Sequence, residues 1–391
     1  MSDEKFKHKR GSRPRWMWTE EEHLKNPKKD GWGHRIHRYG PNVHDAALDR
    51  VRQIYDEFDN VAVAFSGGKD SLVVLHLARM VLEERGKGEK VRAVFHDEEV
   101  IPFDVVRFVE QVRELDWLEL DWWCIPMHSH RMVFSKIVDY IQWDPQRDEY
   151  IRPKPDWAVL PADIGLDDDA ITKQSEASPL YFYGMSGNGC ALMGVRGEES
   201  RNRMRAALSK SGPMYWLNKY EQSDRYMTAN PIIDWSEDDI FKFFYDYNIT
   251  YCPCYQDQMW DGDGFRVASS ITSEGSRKFD RLAPQDPELY DRICQVFPGT
   301  DAQRRYYKEF TGGEAPTTHA EVMAWISDNL EGRWKSNALA AVKNLEKHNI
   351  PVAEQWKFIM KTGYKTAFNA FLLRRAWLKK NDPEAYERSA R

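Results

Sequence analysis

The segment VAVAFSGGKDSLVVLHLAR, residues 61–79, constrains the fold more than any other stretch of the 391-residue chain. Its first apolar run reads as a buried strand ending at Phe65, and the run after Lys69 reads as a helix. Between them stand Ser66, Gly67, Gly68, Lys69, Asp70 and Ser71. Two adjacent glycines let the backbone turn tightly and let a ligand come close. The N–H groups that open the following helix favour an anion, and Lys69 adds positive charge beside them. The guest that suits such a junction is phosphate.

The neighbouring sequence repeats the alternation. Val43, Ala47, Val51, Ile54 and Phe58 recur at helical spacing across 43–58. A second strand, Val91–Phe95, runs into His96-Asp97-Glu98-Glu99, and FDVVRFVEQVREL follows as a helix. A third strand lies in LELDWWCIPM and a fourth in CALMGV at 190–195. Strand–helix–strand order predicts an α/β fold, a parallel sheet with helices on both faces. Ligands of such sheets sit beyond the carboxyl ends of the strands. The glycine junction and the Asp97-Glu98 pair both fall at such ends and are expected to face one cleft.

Three regions follow from the pattern. Residues 1–40 form a basic arm, with Lys5, Lys7, Lys9, Arg10, Arg13 and Arg15 and no acidic residue across 5–15. That arm is expected either to contact nucleic acid or to be a solvated terminus, the second being the default. Residues 41–255 are expected to form one α/β domain around the phosphate-type junction, interrupted by a Pro-, Gly- and Asp-rich insertion or lid at about 143–189. Residues 256–391 are mainly helical, with segments near 318–331, 335–348, 351–361 and 364–380 separated by Gly or Pro. No internal repeat is visible.

A Walker loop would need glycine where Val63 stands and Ser or Thr where Asp70 stands, so that reading fails. What remains, Ser-Gly-Gly-Lys-Asp-Ser after a buried strand, resembles the PP-loop of ATP pyrophosphatases, the adenine nucleotide alpha hydrolase superfamily. The continuation LVVLHLAR is similar to the phosphate-loop helix of the sulfate adenylyltransferase small subunit and of phosphoadenosine phosphosulfate (PAPS) reductases. GVRGEESRNR, 194–203, resembles the G-x-R-x-x-E-S-x-x-R element of PAPS reductase-like proteins. There Gly194 ends a strand, Arg196, Arg201 and Arg203 can meet phosphate or sulfate oxygens in forked geometry, and Glu199 can hold an arginine. NPIIDWSEDDIFKFFYDYNITYCPCY, 230–255, is similar to the family's N-P-x-x-D-W segment. Its expected role is mainly structural: a Pro-led strand, a helix capped by Ser236 with Asp239, and an aromatic core. Asp234 and Trp235 are candidates for lining the site.

The resemblance covers about residues 43–260 and implies a Rossmann-like PP-loop fold that binds ATP. Gly67 and Gly68 amides would hold the phosphate tail, Lys69 would neutralise developing charge, and Ser66 and Ser71 would bond phosphate oxygens. Asp70 would help hold Mg²⁺, Arg196 would assist at the leaving group, and Asp97 and Glu98 would contact metal or ribose. Gly194, Arg196, Glu199, Ser200 and Arg203 complete the implied nucleotide contacts. The implied reaction is cleavage between the α and β phosphates to activate an acceptor, in sulfur chemistry on nucleic acid or a small molecule. One alternative is reduction of, or transfer from, a sulfonucleotide such as PAPS. Another is a nucleotide-sensing subunit of a defence or regulatory complex. WDPQRDEYIRP and LYDRICQVFPG resemble a subgroup of long PAPS reductase-like proteins, some found beside a ParB-like or sulfiredoxin-like partner.

A classical PAPS reductase carries its nucleophilic thiol in a C-terminal Glu-Cys-Gly-Leu-His tail. This chain ends in DPEAYERSAR, without that motif, which puts sulfonucleotide reduction in doubt. Five cysteines at irregular spacing suggest no disulfide framework and a reducing, cytoplasmic compartment. Cys252 and Cys254, in Cys-Pro-Cys, are the close pair, suited to redox or sulfur relay. An iron–sulfur cluster joining them to Cys190 and Cys294 fits no ligand spacing, and buried inert thiols are the default. No run of about eighteen apolar residues predicts a membrane span, and the polar start is unlike a secretory signal. The net charge of −6 gives no global reason to bind nucleic acid.

Overall fold

The computed structural model describes residues 42–133, 136–173, 176–199, 214–220, 223–256, 269–272, 279–305, 316–330 and 332–360, with 373–374, 377–378 and 380–382. The basic arm lies outside the described residues, as does most of the 364–380 segment. The rest divides into two compact units. One holds residues 42–127, 142–148 and 152–256; the other holds 128–141, 149–151 and the described residues from 269 onward.

The first unit opens with α1 (Val43–Glu57), whose N-terminus is closed by Asn42 accepting the Asp45 N–H at 3.0 Å. Ala47, Val51 and Ile54 form its buried face. Next come β1 (Asn60–Phe65), α2 (Lys69–Arg85), β2 (Val91–His96), α3 (Phe103–Arg113) and β3 (Leu118–Trp123). Gly86, at φ 65°, ends α2 in the left-handed conformation common past a helix terminus. A two-stranded sheet of β4 (Met127–Val133) and β5 (Lys136–Gln142) follows; its residues 128–141 count with the second unit. The chain continues through the short α4 (Ala177–Leu180), then β6 (Gly189–Met193), β7 (Leu217–Tyr220), β8 (Ser223–Ala229) and α5 (Glu237–Asp246).

Six strands make one sheet in the order β3-β2-β1-β6-β8-β7. All neighbours run parallel except β7, which is antiparallel to β8 at the edge. Val63 in β1 sits between Ala93 of β2 and Leu192 of β6, all buried. After β1 the chain builds outward through β2 and β3, then returns to the other side of β1 with β6. That reversal makes a crevice at the carboxyl ends of β1 and β6, where open α/β sheets take their ligands. The α/β architecture expected from the sequence is therefore present, with one antiparallel edge strand added.

Two features depart from expectation. The Pro-led strand expected from Asn230 is a run of turns: β8 ends at Ala229, and Ile233 and Trp235 N–H groups close back onto Asn230 and Ile232 carbonyls. Proline cannot donate to a ladder, so the strand stops before it. The β4–β5 pair and the β7–β8 hairpin were not anticipated, because their alternating polar residues lack an apolar run. The Ser236 capping box is present, with Asp239 and Ser236 exchanging side-chain-to-backbone bonds at the start of α5. Within the stretch 143–189, Trp143 is fully buried, and Tyr181 and Phe182 join a cluster with Ala62, Val94 and Ala191.

The second unit carries α6 (Phe279–Gln285), α7 (Pro287–Val296), α8 (Thr300–Arg305), α9 (His319–Asn329), α10 (Gly332–Lys347) and α11 (Val352–Met360). Asp286 caps α7 by accepting the Leu289 N–H, with Pro287 at the first helical position. Helices α9, α10 and α11 share a core of Val322, Ile326, Val342, Leu345, Phe358 and Ile359. Trp325 and Trp356 pack edge to face at 5.1 Å beside it. No helix among the described residues is long and apolar enough to cross a membrane.

Candidate functional site

The glycine junction has the geometry its sequence demands. Gly67 has φ +73°, and a Cβ there would lie 2.7 Å from Val105 and 2.9 Å from Val109 of α3. Any side chain would therefore be strained in backbone and in space. Gly68 is the N-cap of α2, so the first turn of the helix faces the end of β1. Ser71 is buried and braces the loop, accepting the Ser66 N–H at 3.1 Å and donating to the Gly68 carbonyl at 3.0 Å. Of the two serines expected to meet phosphate, Ser71 is buried within the turn, while Ser66 is exposed with its Oγ 3.1 Å from the Ser71 Oγ.

The end of β6 is pressed against this turn. A Cβ on Gly194 would lie 2.5 Å from the Ser71 nitrogen, so only glycine lets the two backbones meet. Two residues on, Arg196 is 3% exposed and reaches Asp70 through Nε at 2.5 Å. Lys69, also 3% exposed, holds the other Asp70 oxygen at 3.2 Å. Lys69 further lies 3.4 Å from Glu237, and Arg196 lies 2.7 Å from Glu198 and 3.8 Å from Glu237. Burial alone would lower the Arg196 pKa, but Asp70, Glu199 and Glu198 outweigh it and raise it.

The crevice thus holds two buried cations faced by carboxylates of graded exposure. Asp70 is 17% exposed, Glu237 39% and Glu198 56%. An incoming oxyanion can replace the two outer carboxylates without leaving Lys69 or Arg196 unpaired, which for buried charges would be costly. The helix N-terminus behind them favours the same sign of guest.

The chain matches the family model described as the phosphoadenosine phosphosulfate reductase domain over residues 60–123 and 175–300, segments that contain the junction, the β6 turn and α5. The α/β unit belongs to the PAPS reductase-like family of PP-loop proteins. Among curated proteins, YbdN of Escherichia coli strain K12, described as uncharacterized, is 26% identical over 234 residues, 55% of this chain. The match spans 54% of YbdN, about half of that relative's length. A solved Candida glabrata FMN adenylyltransferase in complex with ATP aligns over 56% of this chain and 62% of its own, at 14% identity and TM-score 0.35. A PAPS reductase from Candida auris, in a phosphate complex, aligns over 57% and 87%, at 12% identity and TM-score 0.30. At that level of overlap the residue roles rest on this chain's own geometry.

Within the PAPS reductase-like unit, the remaining candidates fall into separate places. Asp97 is fully buried at the end of β2, where it accepts from Trp122 Nε1 at 2.8 Å and pairs with Arg152 at 2.5 Å. Glu99 beside it is equally buried and is gripped at both oxygens by Arg147. Glu98 is half-buried between them. Asp97 thus knits β2 to the following insertion. Asp234 lies on the fully buried Arg50 guanidinium at 2.6 and 2.8 Å, and Trp235 donates to the Val43 carbonyl. Those two residues fasten the 230–235 turns to α1. Glu199 accepts the Arg196 backbone N–H, whereas Glu198 joins Asp70 on its guanidinium. Ser200, Arg201 and Arg203 lie outside the described residues.

Three site residues escaped the sequence reading: Glu198, Glu237 and Tyr255. The Tyr255 hydroxyl accepts the Lys69 backbone N–H at 2.8 Å, and its ring lies 5.5 Å from Lys69 Nζ. Burial, with the nearby cysteines, raises its pKa well above the ordinary phenol value. A signal existed for it, since Tyr255 closes the third family-like segment. All five cysteines are free thiols, and burial pushes those of Cys124 and Cys190 upward. No group of three or more His, Cys, Asp or Glu side chains that could hold a metal occurs among the described residues.

Proposed function

We propose that this protein binds an adenine nucleotide with its phosphates at Ser66–Lys69 and Arg196, and cleaves ATP between the α and β phosphates to activate an acceptor. The observation that supports this most is the convergence of Lys69 and Arg196, both nearly fully buried, at the carboxyl ends of β1 and β6. Buried cations at a glycine-bounded helix N-terminus stabilise charge that develops on phosphate oxygens. Lys69 would neutralise the bridging region, and Arg196 would meet the departing pyrophosphate. Glu198 and Glu237 would give way to phosphate oxygens, because both are partly exposed.

A Mg²⁺ ion accompanying the phosphates draws most of its ligands from phosphate and water, and one or two from carboxylates. Asp70 fits that place by chemistry. Both of its oxygens face cations, Lys69 and Arg196, and they would become available as those cations turn to phosphate. Bound there, the ion would supply further charge neutralisation.

The test is pyrophosphate release from ATP, run with a panel of candidate acceptors. Lys69→Ala and Arg196→Ala should each lower it by about 10²–10³ while leaving the fold intact by circular dichroism. Unchanged release in both variants, or release of inorganic phosphate alone, overturns the reading.

A further inference from the structure

Cys252 and Cys254 flank Pro253 with their Sγ atoms 3.1 Å apart. A closure of about 1 Å would bring them to the disulfide length of ~2.05 Å. Both are free and buried, Cys254 slightly less so. Contact with the Cys254 sulfur lowers the Cys252 thiol below its ordinary pKa, against the opposing effect of burial. The same turn carries Tyr255, whose N–H donates to the Cys252 carbonyl at 3.3 Å. One residue therefore links the sulfur pair to the Lys69 amide.

We propose that Cys252 and Cys254 form a reversible dithiol–disulfide pair, oxidised by a small hydroperoxide, and that closing the bond draws Tyr255 off the Lys69 N–H. A Cys252 thiolate attacks the peroxide oxygen, giving Cys252 sulfenic acid and hydroxide. The Cys254 sulfur then attacks the sulfenic sulfur, the S–S bond forms, and the second oxygen leaves as water. Two thiols and one hydrogen peroxide become one disulfide and two waters; a dithiol reductant reverses the change. Proline fixes φ at 253, so contraction of this short ring falls on its flanks, where Tyr255 is the next residue. The bond itself is independent of the nucleotide reading; its consequence for nucleotide affinity rests on that reading.

The experiment treats the full chain with stoichiometric hydrogen peroxide, alkylates remaining thiols and maps peptides by mass spectrometry. The expected result is a 252–254 bond that dithiothreitol reopens and that neither Cys252→Ser nor Cys254→Ser can form. Hydrogen exchange in the 66–72 peptide should then quicken roughly three- to tenfold on oxidation, the loss of one hydrogen bond, and only in the wild type. In Tyr255→Phe that peptide should exchange fast already, with no further response. Sulfinic acid on a single cysteine, persistent thiols, or a bond that leaves the 66–72 exchange unchanged would each overturn the proposal. If exchange responds and ATP affinity does not, the redox pair stands and the nucleotide reading falls.

Discussion

Two strand ends of the same sheet present acidic residues next to arginine, and they differ in kind. At β2 the carboxylates Asp97 and Glu99 are wholly buried, and their arginines come from the following insertion, Arg152 and Arg147. At β1 and β6 the cations are the buried partners, while Glu198 and Glu237 stay partly in water. A buried carboxylate surrounded by donors is a structural rivet, since any exchange of partners would strand a charge. A buried cation faced by partly exposed carboxylates is ready for another anion. Which partner is buried separates structure from site.

The comparison can be broken by mutation. Its largest expected effect is at the rivet. Asp97→Asn or Arg152→Met should lower stability by about 3–5 kcal/mol in urea titration, because each leaves a buried charge unpaired. Nucleotide binding of the surviving folded fraction should be retained, and selective loss of binding at full stability would move Asp97 into the site.

At the crevice the pattern should invert. Lys69→Ala should cost about 10²–10³ in pyrophosphate release, with stability little changed. A large stability loss with turnover preserved would make Lys69 a second rivet.

Acid should strike the rivet side. Burial pushes His96, the last residue of β2, down to about 4, so the folded state binds fewer protons than the unfolded one between pH 6.5 and 4. That contribution to stability is present above pH 6.5 and is lost as pH falls toward 4, by up to about 3 kcal/mol. His96→Gln should flatten that limb of a pH–stability profile; an unchanged limb would assign it to other groups.

The smallest effect is the sharpest. Glu237→Gln removes an outer carboxylate from Lys69 and should tighten nucleotide binding a few-fold by calorimetry, within the ~1 kcal/mol typical of exposed pairs. Weaker binding would show that Glu237 serves the nucleotide instead of standing in for it.

The order of strands and helices was legible because buried parallel strands and amphipathic helices each carry a period of their own. α1, β1, α2, β2 and α3 lie within a few residues of where that pattern places them. The polar hairpins and the turns after Asn230 were not legible, since their pairing depends on neighbours far along the chain. At the site, Gly67, Lys69 and Gly194 could be read locally, because a left-handed turn, a helix start and a close backbone approach are local demands. Glu198 and Glu237 could not, because they reach Lys69 and Arg196 only after β6 and α5 have packed beside α2.

By itself, then, the sequence determined an α/β sheet with a phosphate-type turn after its first strand, since backbone torsion and apolar periodicity are written residue by residue. The tertiary structure alone decided which acidic residues are fasteners and which stand before the crevice. Burial and ion pairing are set by residues such as 97 and 152, or 69 and 237, that meet only in the folded chain.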